Sequence, residues 1–201
     1  MKRISITATV ALAATPALAH HPMGGETPAT FANGLLSGIG HPILGLDHLA
    51  FVIAVGIAAA LLGSRFLLPL AFIGATVGGT LLHLAAIDLP LVETVIAASV
   101  AAVGLMVCLD RRPPLAAFAG VFAVAGLFHG HAYGEAVFGA EATPVLAYLA
   151  GFALTQYAIA VLAGWAVLRA ATDIPARVGG GMVAGAGMLL VGEQAIAALF
   201  G

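Results

Sequence analysis

Six apolar stretches, each about as long as a membrane-spanning helix, account for most of this sequence. An α-helix needs about 20 mostly apolar residues to cross the hydrocarbon core of a bilayer. The stretches cover residues 42–63, 66–87, 90–109, 115–135, 143–168 and 178–200. Only 8% of the chain is charged, whereas a soluble domain carries about 25% charged residues. The sequence therefore predicts an all-α membrane protein, with a bundle of six transmembrane helices over residues 42–201.

The first 19 residues have the pattern of a secretory signal peptide. Two basic residues, at positions 2–3, precede an apolar run over 4–14, and residues 17–19 have the small-x-small pattern of a cleavage site. Cleavage is expected to leave residues 20–41 as an extracytoplasmic amino-terminal arm. An uncleaved first helix is the less favoured alternative, because the run is short and a proline interrupts it.

The positions of the arginines predict how the bundle is oriented. Basic residues accumulate in cytoplasmic loops. Counting loops from an extracytoplasmic start places every basic residue of the mature chain on the cytoplasmic side, namely Arg65, Arg111, Arg112, Arg169 and Arg177. The outer connections carry acidic residues and no lysine or arginine. We therefore expect a multi-pass protein of the cell's inner membrane, with both mature termini outside the cytoplasm.

Ionisable residues gather near the extracytoplasmic ends of the predicted spans. Such groups cost about 2.5–3.5 kcal/mol each within a span and usually mark a function. The group consists of Asp47, His48, His83, Glu93, His129, His131, Glu135 and Glu193, and His41 lies just outside the first span. Imidazole and carboxylate together form a ligand set for nickel, cobalt, zinc or copper. The pattern predicts an outward-facing divalent-metal site.

The stretch GHPILGLDHLA, residues 40–50, opens the first predicted span. Pro42 suits the first position of a helix, which would leave His41 just outside it. His41 and His48 are seven residues apart, about 10 Å along a straight helix, so they could hold one ion only if the chain bends. Asp47 is either a direct ligand or a carboxylate that orients a ligating imidazole.

The stretch FHGHAYGE closes the fourth predicted span. His131 and Glu135 are four residues apart and would share a helical face, whereas His129 points elsewhere unless the glycines loosen the backbone. Spans 1 and 4 are expected to face each other across a polar cavity, with His83 and Glu93 as further walls. His83 and Glu93 are explained equally well as residues that make contacts between helices.

Four other polar or aromatic residues have alternative interpretations. His20 and His21 would chelate metal at the new amino terminus or form only a polar leader. Gln156, near mid-membrane, is more simply explained as a hydrogen bond between helices. Tyr133 is most simply an aromatic residue at the membrane interface.

Several functional classes are disfavoured. Lys2 is the only lysine, and a phosphate-binding loop needs a lysine after its glycines, so the chain has no intrinsic ATPase. The net charge of −2 gives no indication of nucleic-acid binding. A single cysteine excludes a disulfide framework and a cysteine-based zinc site. No prosthetic group is expected; the expected partners are a divalent metal ion and the lipid bilayer, and a homo-oligomer is left open.

Two motifs resemble those of the HupE/UreJ family of secondary nickel/cobalt permeases. The form H-P-x-x-G-x-D-H is matched from His41 to His48, and F-H-G-x-A followed by a glutamate is matched from Phe128 to Glu135; a weaker match is ETVIAASV, Glu93–Val100. The resemblance implies import of Ni²⁺ or Co²⁺, bound transiently, for a metalloenzyme or for cobalamin. Many members carry F-H-G-Y-A-H-G where this chain has F-H-G-H-A-Y-G, which leaves open whether His129 or His131 is the direct ligand.

The same residues are compatible with two other functions. An intramembrane metal-dependent hydrolase would use the same ligands to activate water, but the sequence has no H-E-x-x-H. A non-transporting accessory or sensor subunit would bind metal and need a partner for any flux. Because imidazole must be deprotonated to bind a metal ion, uptake by a transporter is expected to weaken as the pH falls through about 6–6.5.

Overall fold

The computed structural model describes residues 26–200, and within that range the chain is helical and has no β-strand. Its helices are α1 (Phe31–Leu44), α2 (Leu46–Leu61), α3 (Leu67–Leu84), α4 (Val92–Cys108), α5 (Leu115–Gly134), a short 3-10 helix (Glu135–Val137), α6 (Ala142–Arg169) and α7 (Ile174–Phe200). The all-helical prediction is confirmed for these residues. The predicted signal peptide lies outside them.

Four of the helical segments are long and apolar enough to cross a membrane: α3, α5 with the 3-10 turn, α6 and α7. A fifth candidate is α1 with α2, which together pass the same test but are bent by 78°. Helix α4 is apolar but has only 17 residues. The structure thus has four or five candidate spans in residues 26–200, and the predicted number of six is not established by it.

The prediction that Pro42 begins a helix is wrong, because the helix that contains it begins at Phe31. Thr30 caps an earlier helix by accepting a hydrogen bond from the Asn33 backbone N–H at 3.1 Å, so α1 has already formed when the chain reaches Pro42. The proline lies inside α1, and His41 is in its last turn rather than outside a helix. The break comes at Gly45, whose backbone is extended, and α2 begins at Leu46.

Helix α2 forms the centre of the bundle. Its residues from Phe51 to Ala60 are almost all buried, and it packs against α4, α6 and α7, while α1 pairs with α6 and α4 pairs with α7. Helix α3 pairs with α5 through glycines: a Cβ at Gly79 or Gly130 would overlap the backbone of the facing helix. This close approach brings the carboxyl-terminal ends of α3 and α5, which carry His83 and His131, side by side.

Candidate metal site

The imidazoles of His48 on α2 and His129 on α5 meet inside the bundle. Their Nδ1 atoms are 3.0 Å apart, and the two residues are 3% and 0% exposed. The Phe51 ring stacks on His129 with ring centroids 4.4 Å apart. The first and fourth predicted spans thus meet in direct contact through these two side chains.

A chain of hydrogen bonds favours one tautomer for each imidazole of this pair. The Ser99 hydroxyl on α4 donates to the Ile96 carbonyl at 2.7 Å, and a carbonyl oxygen can only accept. The Ser99 oxygen, 3.0 Å from His129 Nε2, therefore accepts from the Nε2–H. In neutral His129 the lone pair is then on Nδ1, so His48 donates its Nδ1–H to it. The lone pair of His48 is consequently on Nε2, the nitrogen on the opposite edge of the ring.

A second chain of hydrogen bonds, here called a relay like the first, favours one tautomer of His41 in the same way. The Tyr148 hydroxyl on α6 donates to the Tyr133 carbonyl at 2.9 Å and lies 2.8 Å from His41 Nδ1. Because its one proton is committed to the carbonyl, the hydroxyl accepts from the His41 Nδ1–H. His41 and His48 thus both carry the Nδ1–H tautomer, which leaves each lone pair on Nε2.

The bend between α1 and α2 brings His41 and His48 together. Their ring centroids are 5.8 Å apart at an interplanar angle of 71°. An imidazole nitrogen lies about 2.1 Å from a bound ion, so the centroids of two ligating rings are about 5–6.5 Å apart. The predicted condition for a shared ion, that the chain bends, is met at Gly45.

The Asp47 carboxylate lies beside the same imidazole nitrogen. Its Oδ2 atom is 3.9 Å from His48 Nε2, which is too long for a direct hydrogen bond. Two ligand atoms that share one ion at about 2.1 Å can be at most about 4.2 Å apart. Nevertheless, among residues 26–200 no three His, Cys, Asp or Glu side chains form a group that could hold a metal ion as they stand.

Tyr133 is not an interface aromatic residue, contrary to the simplest interpretation of the sequence. Its side chain is completely buried because its ring packs against both motif histidines, with centroids 4.8 Å from His41 and 4.3 Å from His48. Its hydroxyl has no hydrogen-bond partner within the described part of the chain. The residue that replaces a histidine in the resembled motif thus forms a wall of the His41–His48 site.

A second pair of imidazoles lies at the carboxyl-terminal ends of α3 and α5. His131 donates its Nε2–H to the Ile87 carbonyl at 3.0 Å, which leaves its lone pair on Nδ1, 3.5 Å from His83 Nδ1. His83 is half-buried. The carboxylates of Glu135 and Asp88 are close enough to interact electrostatically with it. The four groups form an open, acidic rim, here called the outer pair site.

The remaining predicted ligands are placed less centrally. Glu93 is exposed in the first turn of α4 and Glu135 is exposed at the start of the 3-10 helix. His20 and His21 lie outside the described residues. Sequence reasoning missed Ser99 and Tyr148, both of which contact the histidines. An isolated serine within an apolar helix was a signal for the first, since a hydroxyl at that depth needs a partner; no local signal pointed to the second.

Comparisons with known proteins agree with the two motifs. A family described as "HupE / UreJ protein" matches residues 8–190. The chain is 41% identical over 199 residues to "Protein HupE" of Rhizobium leguminosarum bv. viciae, and the alignment covers 96% of this chain and the whole of that protein. No solved structure matches this chain.

Proposed function

Because the chain belongs to the HupE/UreJ protein family and has several apolar helices of membrane-spanning length, it is a membrane protein related to metal transport, and we propose that it is a secondary transporter. Its substrate is a divalent transition-metal cation, Ni²⁺ or Co²⁺, imported through an extracytoplasmic histidine–carboxylate site. The observation that carries this proposal is the convergence of His41 and His48 beside Asp47.

In this proposal the capture site uses the Nε2 atoms of His41 and His48 and the carboxylate of Asp47. The two neutral imidazoles and one carboxylate leave a bound divalent ion with one net positive charge, so the ion is not trapped by an excess of negative charge. Water or the amino-terminal arm, with His20 and His21, completes the coordination. Small shifts of the side chains would convert the present arrangement into a three-ligand site.

His129 then serves to position His48 and is not itself a ligand. Both of its ring nitrogens are engaged, one by Ser99 and the other by His48. His131 is the better candidate for a direct ligand. Its Nδ1 lone pair faces His83 at 3.5 Å, and two nitrogens bound tetrahedrally to one ion are about 3.4 Å apart. We assign the outer pair site to first contact with the incoming ion, whose charge Glu135 and Asp88 attract.

Energetically, the transporter needs no ATPase of its own. A membrane potential that is negative inside favours the inward movement of a cation by about 2.3 kcal/mol per charge per 100 mV. Six spans, a cleaved signal peptide and extracytoplasmic termini in the inner membrane complete the proposal. They place the histidine motifs outside, where the ion is captured, and the arginines inside.

The test is uptake of radioactive Ni²⁺ or Co²⁺ into liposomes that contain only the purified full chain. We expect flux that is retained in the presence of Mg²⁺, since Mg²⁺ prefers oxygen ligands and keeps its waters. His48→Ala is expected to abolish saturable uptake when the liposomes contain the same amount of protein as in the wild-type experiment. The matched control is Glu141→Gln, which neutralises an exposed carboxylate at the start of α6 and is expected to leave uptake unchanged.

Two results would contradict the proposal. One is the absence of flux with the wild-type chain when binding of the metal is retained, which would favour a non-transporting accessory subunit. The other is unchanged flux in the His48→Ala variant, which would remove the site assignment.

A further inference from the structure

Gln156 lies directly inward of the His41 relay on the same face of α6. It follows Tyr148 by eight residues, which is about 12 Å along a helix. Phe152 lies between them and packs on Tyr133, with ring centroids 5.3 Å apart. Gln156 is completely buried. Further inward, α6 has no Asp, Glu, His, Ser, Thr, Asn or Gln before Arg169.

The side-chain carbonyl oxygen of Gln156 accepts no hydrogen bond within the described residues. The Gln156 Nε2 donates to Thr76 Oγ1 at 3.5 Å, at the limit for a hydrogen bond. The Thr76 hydroxyl donates its proton to the Ile73 carbonyl at 2.8 Å, so it can only accept from Gln156. Exchanging the nitrogen and oxygen of the Gln156 amide would therefore lose this contact. Gln156 Oε1 is therefore turned away from Thr76. It is buried and has no hydrogen-bond partner within residues 26–200.

Gln156 makes the hydrogen bond between helices that the sequence predicted, but this contact between α6 and α3 is long, at 3.5 Å. The hydrogen bond that joins α3 to α5 at this depth comes from Thr80, whose hydroxyl lies 2.8 Å from the Gly130 carbonyl and 3.0 Å from the Thr76 carbonyl. Gln156 adds only one long contact and leaves a buried acceptor unsatisfied, which costs free energy. Such a group in a native structure calls for an explanation.

Two buried side-chain oxygens, one at the capture site and one inward of it, have no hydrogen-bond partner within residues 26–200. The first is the Tyr133 hydroxyl, on a ring that contacts His41 and His48; the second is Gln156 Oε1, one turn beyond Phe152. At the cytoplasmic end of α6, Leu168 lines an open pocket of about 490 Å³ together with Arg65. Beyond Gln156, the side chains of α6 that carry a polar atom before Arg169 are those of Tyr157 and Trp165.

We propose that Gln156 Oε1 is an inner binding station for the same divalent cation, which arrives partly hydrated from the capture site. The proposal rests on the proposed transport function. A neutral amide oxygen binds nickel or cobalt more weakly than two imidazoles and a carboxylate do. This suits the inner half of a transport path, where an ion must be held well enough to enter and loosely enough to leave.

The test separates binding from flux in the purified full chain, with radioactive Ni²⁺ as the probe. Gln156→Leu removes the oxygen and keeps a similar volume. We expect its equilibrium affinity for Ni²⁺ to stay within about twofold of wild type, its thermal unfolding temperature to be unchanged or higher, and its flux into liposomes to fall at least tenfold. Gln156→Met, which is more flexible and of similar size, is measured in parallel in case the leucine variant does not fold.

A third variant and a comparison variant sharpen the result. Gln156→Glu strengthens the station with a charge, so we expect half-maximal flux at a lower Ni²⁺ concentration and a lower maximal rate. Thr80→Val, which removes the α3–α5 hydrogen bond, is expected to lower the unfolding temperature. That loss of stability is what a structural role for Gln156 would also produce.

The outcomes distinguish this inference from the function on which it rests. If the wild-type chain transports Ni²⁺ and the leucine and methionine variants transport it within twofold of wild type, the inner station is refuted and the transport function stands. If those variants lose stability and affinity together, Gln156 is structural and the inference also fails. If the wild-type chain itself gives no flux, the proposed function fails first.

Discussion

Removing the Ser99 hydroxyl tests the tautomer relay without touching a proposed ligand. In Ser99→Ala the His129 Nε2–H loses its acceptor, which lies 3.0 Å away in the wild type. A buried donor left unsatisfied costs about 1–3 kcal/mol. His129 can avoid that cost by moving its proton to Nδ1, but this proton then opposes the Nδ1–H of His48, only 3.0 Å away. His48 must in turn move its proton to Nε2, the nitrogen that is proposed to bind metal.

The expected loss of Ni²⁺ affinity follows from this change of tautomer in His129 and His48. Orienting partners of metal-bound histidines typically contribute about 10–100-fold to metal affinity, and one lost hydrogen bond of about 1.4 kcal/mol corresponds to tenfold. We therefore expect Ser99→Ala to bind Ni²⁺ about tenfold more weakly. Equilibrium binding measures the affinity and liposome flux measures the rate. The maximal rate at saturating Ni²⁺ should change little, because the ligands themselves remain.

Two matched variants control this experiment. Ser99→Thr keeps the hydroxyl, and its added methyl group can extend into the open cleft of about 520 Å³ that Ser99 lines between α4 and α5; it is expected to restore the affinity. Ser64→Ala makes the same change in the loop between α2 and α3 and should have no effect. Equal affinity in Ser99→Ala and wild type would refute the relay, as would a failure of threonine to restore it.

Three further outcomes are expected. Tyr148→Phe removes the acceptor of the His41 Nδ1–H and should weaken Ni²⁺ binding about tenfold in equilibrium dialysis; full affinity would contradict the second relay. Gly130→Ala places a Cβ against the Thr76 backbone and should lower the free energy of unfolding by about 1–3 kcal/mol, whereas Gly120→Ala, which meets only open space on the same helix, should not. Lowering the external pH from about 7.5 to about 5.5 should reduce uptake at subsaturating Ni²⁺ by tenfold or more at a clamped membrane potential, because protonated imidazole has no lone pair for the ion; pH-independent uptake would exclude histidine ligands.

The sequence selects the candidate residues through the cost of burying ionisable groups in apolar helices, which leaves few explanations for them. The meeting of His48 with His129 follows from that cost together with the alternation of the spans. The pairing of His41 with His48 was predicted only as a condition, since a heptad spacing forbids it on a straight helix. The bend at Gly45 is what brings His41 and His48 together, and a single glycine in the sequence does not predict a bend of this size.

The wrong predictions arose because a local sequence pattern does not include the neighbouring structure that surrounds the residue. Pro42 was interpreted as a helix start because its missing N–H suits that position, but the capped helix that begins at Phe31 was already long enough to include it. Tyr133 was assigned to the interface because its position is near the end of a span, yet the contact between α5 and the α1–α2 bend encloses it. The partners Ser99 and Tyr148 are 30 and 107 residues away in sequence from the histidines they orient, so no local pattern connects them.

The coordination of the bound ion tests the central claim most directly. X-ray absorption spectroscopy on purified full-length protein loaded with one equivalent of Ni²⁺ counts the imidazole ligands through their characteristic outer scattering. We predict at least two imidazoles in the wild type, with one fewer in His41→Ala and one fewer in His48→Ala. A spectrum without imidazole scattering, or an imidazole count that both substitutions leave unchanged, would contradict the convergence of these residues on one ion.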